Sequence, residues 1–440
     1  MKPLFEFQCW MKRLYRQGPH FQKHLKLLER SQNYPIDAIR FYQNEQLRKM
    51  IRHCHQNIPY YRDLFTELQL QPDDIQTVED LRKLPLMDKK TVRANFDKLI
   101  DKKRKNLLCK VGMTSGTTGS PARFLRDYNS INFEHAAAWR QWHNAGDTGK
   151  KRVSMRGGII VPVAQQEPPF WRYNPANQEL QMSSFHLSPA NSRAYIDEIL
   201  AFAPEVLYCL PSNGELLAKF FRHHGIRYQF KVVFTSSESL EPHVRDYIEE
   251  VFQTQVYDWY GQAERVAAIG QCRQNQYHIE EDYSIVELVP SERDESYELV
   301  GTHLHNYVMP LLRYRTYDHV FMTDAPCDCG SSFRRVDRIL GRSGDFLITP
   351  EGCRISITAH IPCGVENLIE TQFCQEKPGE VTLKVLTNGQ FTDKDKEQLI
   401  KNTLTYTSPR MKVVVKEVAS IPRGPNGKFL SVINTIGMEN

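Results

Sequence analysis

The sequence contains no apolar run long enough to cross a bilayer. Of its 440 residues 40% are hydrophobic, but no stretch approaches the roughly 18 consecutive apolar residues of a transmembrane helix. The N-terminus also lacks a signal-peptide core, because polar residues separate Phe5, Phe7 and Trp10. Such an amphipathic start fits packing onto the protein body or contact with a membrane surface, and packing is the favoured interpretation.

Cysteine is sparse, and neither sign of charge dominates. Ten cysteines are spread unevenly along the chain, which argues against a disulfide framework and favours reduced thiols and a cytoplasmic location. The net charge is only +5, a value that fits anionic small ligands as well as nucleic acid. The densest basic run, residues 102–105, fits a solvated loop better than an anion-binding patch.

Hydrophobic periodicity predicts an α/β protein. Residues 41–65 have helical spacing interrupted at Pro59. Further along, predicted strands and helices alternate, as in a sheet covered by helices. The strands are 153–163, 206–210 and 231–235, and the helices are 131–142, 192–202 and 214–224.

The composition changes after Gly341, which predicts a domain boundary. A strand at 381–386, a helix at 393–404 and a strand at 411–418 describe a compact α+β module. We therefore expect a large N-terminal α/β domain with several subdomains and helix-flanked sheets at 1–340, whose first 100 or so residues are helical. A small C-terminal α+β domain follows at 341–440, with a hinge near Arg342.

A hydroxyl- and glycine-rich segment is typical of a phosphate-binding loop. Its backbone N–H groups and hydroxyls can bind an anion, and its glycines allow close approach of a ligand. It lacks the Gly-Lys-Ser/Thr of a Walker A loop, and a plain surface turn is the alternative. The segment is Thr114, Ser115, Gly116, Thr117, Thr118, Gly119, Ser120 and Pro121.

Four more motifs follow in order, and together they establish a resemblance. They are Tyr260-Gly261-Gln262-Ala263-Glu264, Tyr314-Arg315-Thr316-Tyr317-Asp318, Gly341-Arg342-Ser343-Gly344-Asp345 and Gly424-Pro425-Asn426-Gly427-Lys428. The chain resembles the adenylate-forming, AMP-binding superfamily of acyl-CoA synthetases from about Gln46 to its end. The closest resemblance is to the phenylacetate–CoA ligase and CapK-like branch.

The resemblance implies roles for individual residues. The loop at 114–119 would hold the β- and γ-phosphates of ATP, and Asp318 would bind the ribose hydroxyls. Glu264 would bind Mg²⁺, for which a carboxylate oxygen is a suitable ligand. The adenine would be framed by Tyr260, which stacks on it, and by Gly261, Ser237 and Glu238.

Two further residues are expected to act in catalysis with Glu264. Lys428 would bridge the carboxylate and the α-phosphate, stabilising charge that builds up in the transition state, and Arg342 would lie near the phosphates and ribose. A solvated surface Lys is the alternative for Lys428. Ala122, Tyr317 and Gly344 depart from the family pattern, which usually has Lys, Gly and Asp there.

A Cys₃His set predicts a structural zinc site. Cys327-Asp328-Cys329-Gly330 follows Asp318, and Cys272 and His278 follow Glu264. The thiolates of Cys272, Cys327 and Cys329 and the imidazole of His278 suit Zn²⁺. Members of the phenylacetate–CoA ligase branch often have Cys-x-Cys-Gly at this point, and unrelated core and surface side chains are the alternative.

The resemblance implies an ATP- and Mg²⁺-dependent acid–thiol ligase. It would form an acyl-adenylate and transfer the acyl group to CoA by default, or to a carrier-protein thiol or an amine. The CapK-like branch connects the acid with capsule or exopolysaccharide biosynthesis. No nucleic-acid partner is expected, and a homodimer is left open. A catalytically silent, nucleotide-binding scaffold is the rival hypothesis.

Overall fold

The computed structural model describes most of the chain, in two compact units. The described residues are 2–113, 122–147, 149–238, 240, 242–292, 295–340, 346–355, 361–362, 364–387, 389–419, 421 and 432–436. The first unit contains Met1–Met113, Ala122–Thr148 and Tyr257–Gly341. The second contains Gly149–Val256 and Arg342–Asn440.

The first unit begins with helices. They are α1 (Lys2–Arg16), α2 (Pro19–Ser31), α3 (Ile36–Asn57), α4 (Pro59–Glu67) and α5 (Lys89–Ala94). The break between α3 and α4 falls at Ile58, because proline disfavours helical backbone in the residue before it and is well suited to a first helical position. The segment Glu79–Lys83 is a 3₁₀ helix.

A two-stranded hairpin and a long helix follow. Strand β1 (Lys110–Met113) pairs antiparallel with β2 (Arg123–Arg126), with Met113 opposite Arg123. The two strands therefore bracket the sequence of the expected phosphate loop, which lies outside the described residues. Helix α6 (Tyr128–Asn144) starts where the Asp127 side chain accepts a hydrogen bond from the Ser130 N–H.

The main sheet of the first unit is antiparallel. Its strands, in spatial order, are β11, β12, β13, β14, β10, β9 and β8. Their bounds are β8 (Val256–Gly261), β9 (Ala268–Gln271), β10 (Tyr277–Ile279), β11 (Ser284–Pro290), β12 (Tyr297–His303), β13 (Tyr314–Met322) and β14 (Arg335–Leu340). Apolar residues of this sheet form a buried cluster that includes Ile269, Leu299 and Val320.

The second unit contains the predicted helix-flanked sheet. Its strands lie in the order β7, β6, β3, β5, β4, parallel except for the β4–β5 pair. The strands are β3 (Arg152–Met155), β4 (Trp171–Asn174), β5 (Glu179–Met182), β6 (Val206–Cys209) and β7 (Val232–Ser236). The helices are α7 (Ser192–Phe202), α8 (Pro211–His223) and α9 (Pro242–Phe252).

The end of the chain forms a four-stranded sheet with one helix. The sheet order is β19, β18, β17, β20, and a separate short pair is formed by β15 and β16. The bounds are β15 (Leu347–Ile348), β16 (Arg354–Ile355), β17 (Leu368–Lys377), β18 (Glu380–Thr387), α10 (Asp393–Tyr406), β19 (Lys412–Glu417) and β20 (Val432–Asn434). Thr392 and Asp395 form a capping box at the start of α10.

One of the predictions for local structure is wrong. The strand predicted at 153–163 ends at Met155, because Gly157 has a left-handed φ of 73° and donates its N–H to the Ser184 hydroxyl. Helix α1 packs onto the body, as the favoured interpretation expects, because Cys9 is buried and the Tyr15 carbonyl accepts from Asn132 Nδ2 at 3.1 Å, but Phe7 and Trp10 are exposed. Among the described residues, no helix has the length and apolarity needed to cross a membrane.

Candidate functional site

Two residues predicted to bind the nucleoside are hydrogen-bonded to each other. Tyr260 lies near the end of β8 and Asp318 lies in β13, and the Tyr260 hydroxyl donates to Asp318 Oδ2 at 2.8 Å. Burial, followed by the adjacent Asp318 carboxylate, raises the pKa of Tyr260 well above its usual value. The hydroxyl therefore stays protonated and acts as a donor that orients the carboxylate.

A bulge in β13 positions Asp318. Glu298 pairs with His319 and Val300 pairs with Arg315, so the three residues 316–318 lie opposite one residue of β12. Tyr317, within this bulge, has a left-handed φ of 60°, a conformation that favours glycine. The chain thus keeps a glycine-type backbone at the position where the family pattern has Gly, although the side chain is tyrosine.

Glu264 is desolvated and oriented by a second tyrosine. The Tyr314 hydroxyl, at the start of β13, donates to Glu264 Oε1 at 2.9 Å. Burial raises the pKa of Glu264, and the hydrogen bond from Tyr314 and the charge of Lys89 oppose this rise. Bound Mg²⁺ would favour the ionised carboxylate in the same way as Lys89.

The backbone that carries Glu264 is held from the opposite side. His303 Nε2 donates to the Glu264 carbonyl at 2.8 Å, while His303 Nδ1 accepts from the Leu311 N–H at 3.1 Å. Burial lowers the pKa of His303 to about 4, so the ring is neutral and its tautomer is set by these two bonds. The Arg126 guanidinium also donates to the Ala263 carbonyl.

The second unit contains the other two predicted adenine-site residues. Ser237 follows β7 with a left-handed φ of 74°. The Glu238 carboxylate accepts from the Ser212 N–H, in the first turn of α8, at 3.0 Å, a position where a helix dipole favours an anion. Nearby, Asn213 donates to the Ser184 hydroxyl at 2.7 Å and to the Met155 carbonyl at 3.2 Å.

The remaining predicted site residues lie outside the described part of the chain. These are the phosphate-loop residues and two catalytic candidates: Thr114, Ser115, Gly116, Thr117, Thr118, Gly119, Arg342 and Lys428. Their roles stay predictions.

The structure brings the predicted Cys₃His set together. One ligand atom from each of Cys272, His278, Cys327 and Cys329 lies within 4.8 Å of the others. Cys272 Sγ and Cys327 Sγ are 3.7 Å apart, and Cys329 Sγ and His278 Nε2 are 3.6 Å apart. Tetrahedral zinc with Zn–S of about 2.3 Å and Zn–N of about 2.0 Å requires S···S and S···N separations of about 3.8 and 3.5 Å. The four residues therefore fit a zinc ion.

Surrounding groups orient these ligands. His278 Nδ1 donates to the Phe333 carbonyl at 3.0 Å, which leaves Nε2 as the coordinating atom. Burial lowers the pKa of His278 and raises that of Cys272 to about 12. Backbone N–H groups of Gln274 and Ser331 approach the sulfurs of Cys272 and Cys329 at 3.4 Å.

Sequence reasoning missed the side chains that support the site. Tyr314 belongs to the Tyr314–Asp318 motif, but the motif predicts no role for it, and nothing in the sequence predicts one for His303. His303 ends the apolar β12 and is 4% exposed, and a polar residue at the end of a buried strand was the available signal. Its contact with Glu264 depends on long-range packing, which spacing along the chain does not reveal.

The chain was compared with known protein families and proteins. Residues 347–435 match the family described as the CapK C-terminal domain. The chain is 28% identical to Protein CapK of Staphylococcus aureus over 411 residues, covering 90% of this chain and 89% of that protein. It is 26% identical to phenylacetate-coenzyme A ligase of Thermus thermophilus over 330 residues, covering 71% and 72%.

Solved structures agree on the fold. A 2-hydroxyisobutyryl-CoA ligase in complex with 2-HIB-AMP and CoA matches with a TM-score of 0.59 and 20% identity, covering 92% of this chain and 91% of that chain. At this identity the likeness establishes the fold. Together with the sequence relatives, it confirms the predicted acyl-CoA-synthetase-like fold. The similarity to Protein CapK and to the phenylacetate–coenzyme A ligases confirms the predicted resemblance to that branch of the adenylate-forming superfamily.

Proposed function

We propose that this protein uses ATP to activate a carboxylic acid as an acyl-adenylate and then transfers the acyl group to a thiol. The observation that carries the proposal is the Tyr260–Asp318 hydrogen bond, with Glu264 held by Tyr314 on the same strand as Asp318. An aromatic ring, a carboxylate for ribose hydroxyls and a carboxylate for a cation are the groups that an adenosine phosphate requires.

The proposed role of each residue follows from the chemistry of its side chain. Tyr260 offers a ring for stacking on adenine, a contact worth about 1–3 kcal/mol by truncation, and its hydroxyl orients Asp318. Asp318 accepts hydrogen bonds from the ribose. Glu264 would hold Mg²⁺, which supplies positive charge for the phosphates. His303 and Arg126 act indirectly, because they fix the backbone at Glu264 and Ala263.

The zinc-type cluster has a structural role in this proposal. Four protein ligands complete a tetrahedral coordination sphere, so no position remains for a substrate or a reactive water. Cys272 and His278 flank the β9–β10 turn, and Cys327 and Cys329 precede β14. Zinc would hold the two loops together.

Coenzyme A is the thiol that we propose as acceptor, and the relatives named phenylacetate-coenzyme A ligase support this choice. The proposed use of the acid in building capsule or exopolysaccharide rests on the resemblance to the CapK-like branch, and the chain is similar to Protein CapK along 90% of its length. A carrier-protein thiol or an amine is the alternative acceptor. The phosphate loop at 114–119, Arg342 and Lys428 complete the proposed machinery.

Trapping with hydroxylamine tests the proposal directly. Purified protein with ATP, Mg²⁺ and a panel of aryl, fatty and hydroxy acids should form a hydroxamate with at least one acid. CoA should then replace hydroxylamine as acceptor and give a thioester. Tight ATP binding without hydroxamate from any acid would favour the rival scaffold hypothesis.

A pair of acidic substitutions provides the control. Asp318→Asn should weaken the trapping reaction strongly, since the ribose loses an ionised acceptor. Asp324→Asn changes the same residue type in the loop after β13 and should leave the rate unchanged. Equal rates for the two variants would remove Asp318 from the site.

A further inference from the structure

Helix α1 presents a continuous apolar face to solvent. Its exposed large side chains are 47–64% accessible, and their spacing of three and four residues places them on one side of the helix. The helix is attached to its own unit by the buried Cys9, on the other side, and by the half-buried Tyr15 at the edge of the apolar face. The exposed residues are Leu4, Phe7, Trp10, Met11 and Leu14.

A second apolar and basic element adjoins the end of this helix. The Tyr15 hydroxyl donates to the Leu108 carbonyl, and Lys110 Nζ lies 5.5 Å from the centre of the Tyr15 ring. In the same loop Leu107 and Leu108 are 98% and 50% exposed. All four basic residues at 102–105 are also exposed. The helix and this loop are therefore neighbouring parts of one surface.

Positive charge is concentrated on this surface. Helix α1 has four basic residues against Glu6, and residues 101–110 have five against Asp101. Asp101 is itself buried, and Arg104 lies 3.6 Å from it. The two segments together carry a net charge of +7, whereas the whole chain carries +5, so the rest of the chain is slightly acidic.

We propose that α1 and residues 101–110 dock onto the surface of an anionic phospholipid bilayer. An amphipathic helix with aromatic and leucine side chains on one face and basic residues on the other binds in the plane of a membrane interface. Lysine and arginine near the surface add attraction to anionic headgroups. The helix has 15 residues and lies on the bilayer without crossing it.

The charge and the exposed apolar side chains favour an anionic membrane over a second copy of the chain or a nucleic acid. A symmetric dimer through α1 would bring the same surface of each copy together, and a surface of net charge +7 would face another of the same sign. A nucleic acid would match the charge but would leave the row of exposed leucine and aromatic side chains unexplained. The membrane accounts for both features, and it does so independently of the ligase chemistry.

Vesicle co-sedimentation of the full chain tests the proposal. Vesicles of phosphatidylcholine with roughly 30 mol% phosphatidylglycerol should bind the protein at least about tenfold more strongly than pure phosphatidylcholine. Raising salt from about 0.1 to 0.5 M should weaken this binding several-fold. Quenching of Trp10 fluorescence by brominated lipid should accompany binding, and Trp10→Phe should remove that quenching.

Matched variants test whether vesicle binding depends on the exposed face of α1 or on exposed apolar side chains in general. Phe7→Ser/Leu14→Ser should lower vesicle partitioning about tenfold or more. Lys103→Gln/Lys105→Gln should lower it about tenfold on anionic vesicles only. Leu200→Ser/Val414→Ser removes two exposed apolar side chains elsewhere and should change vesicle partitioning by less than about twofold. Activity on a water-soluble acid should be unchanged in all three.

Three results would overturn the proposal. The first is equal, weak binding to both kinds of vesicle. The second is equal loss of binding in Leu200→Ser/Val414→Ser and Phe7→Ser/Leu14→Ser. The third is a lipid-free dimer by sedimentation velocity that Phe7→Ser/Leu14→Ser converts to monomer, which would assign the face to a second copy of the chain.

Discussion

The hydrogen bond between Tyr260 and Asp318 makes a quantitative prediction. Tyr260→Phe keeps the ring but removes a 2.8 Å donor to a carboxylate. A hydrogen bond to a charged group contributes about 1.5–3 kcal/mol, or about 10- to 150-fold in a rate constant. We expect Tyr260→Phe to lower kcat/KM for ATP by at least about tenfold, chiefly through KM, because the ribose acceptor loses its orientation.

A double-mutant cycle isolates this bond. In an Asp318→Asn background, Tyr260→Phe should cost less than about twofold, since the charged acceptor is already absent. Tyr277 supplies a matched control: its hydroxyl donates to Asp258 Oδ2 at 3.0 Å in the same sheet. Tyr277→Phe should lower the free energy of unfolding by about as much as Tyr260→Phe does, and it should leave KM for ATP unchanged.

The reasoning would be refuted by additivity in the cycle. If the effects of Tyr260→Phe and Asp318→Asn on kcat/KM add to within about 0.5 kcal/mol, the two side chains act separately. A rise in KM of the same size in Tyr277→Phe would show that the sheet, and not the nucleoside contact, had been perturbed.

Four further predictions concern the metal cluster, the bulge, pH and the C-terminal lysine. Cys327→Ser/Cys329→Ser should lose about one zinc per chain by elemental analysis, whereas Cys109→Ser/Cys374→Ser should keep it; native protein that is free of metal and stable to chelator would contradict the assignment. Tyr317→Gly should keep the adenylation rate within about threefold and Tyr317→Val should be destabilising, since a φ of 60° strains a β-branched residue; a large rate loss in Tyr317→Gly would instead give the tyrosine ring a role. Burial lowers the pKa of His305 to about 3. The contribution of the neutral ring to the free energy of unfolding is therefore complete above the unfolded pKa of about 6.5, and it has fallen by about 2 kcal/mol at pH 5. In urea unfolding, the free energy of unfolding of His305→Phe should therefore rise by about 2 kcal/mol relative to that of the wild type as the pH is lowered from 7.5 to 5. A difference that stays constant with pH would exclude a neutral buried ring. Lys428→Ala should lose about 10²–10³ in adenylation rate with little change in ATP affinity; equal losses in both would make the lysine an ordinary phosphate contact.

The secondary structure could largely be read from the sequence. Helix α7 was predicted at 192–202 and has those bounds, and the predicted strand at 381–386 lies within β18. Periodicity succeeded there because burial repeats along each element. It failed at 153–163, where the apolar residues continue past Met155 but Gly157 turns the backbone out of the strand.

The candidate site was only partly predictable. The family resemblance made Tyr260, Glu264 and Asp318 candidates, and the residue types of the Cys₃His set predicted a metal site. Neither revealed that Tyr260 and Asp318 bond to each other or that Tyr317 lies in a bulge with a left-handed φ. Those features arise from pairing between distant strands. The face by which α1 meets the body could likewise not be predicted, since tertiary contacts decide it.

Acid-dependent exchange of labelled pyrophosphate into ATP is the decisive test of adenylation, because it reports acyl-adenylate formation without requiring the acceptor. We expect exchange with at least one carboxylic acid, none without acid, and loss of exchange in Glu264→Ala, whose carboxylate is held by Tyr314. Nucleotide binding with no exchange for any acid, or full exchange in Glu264→Ala, would contradict the proposed adenylation.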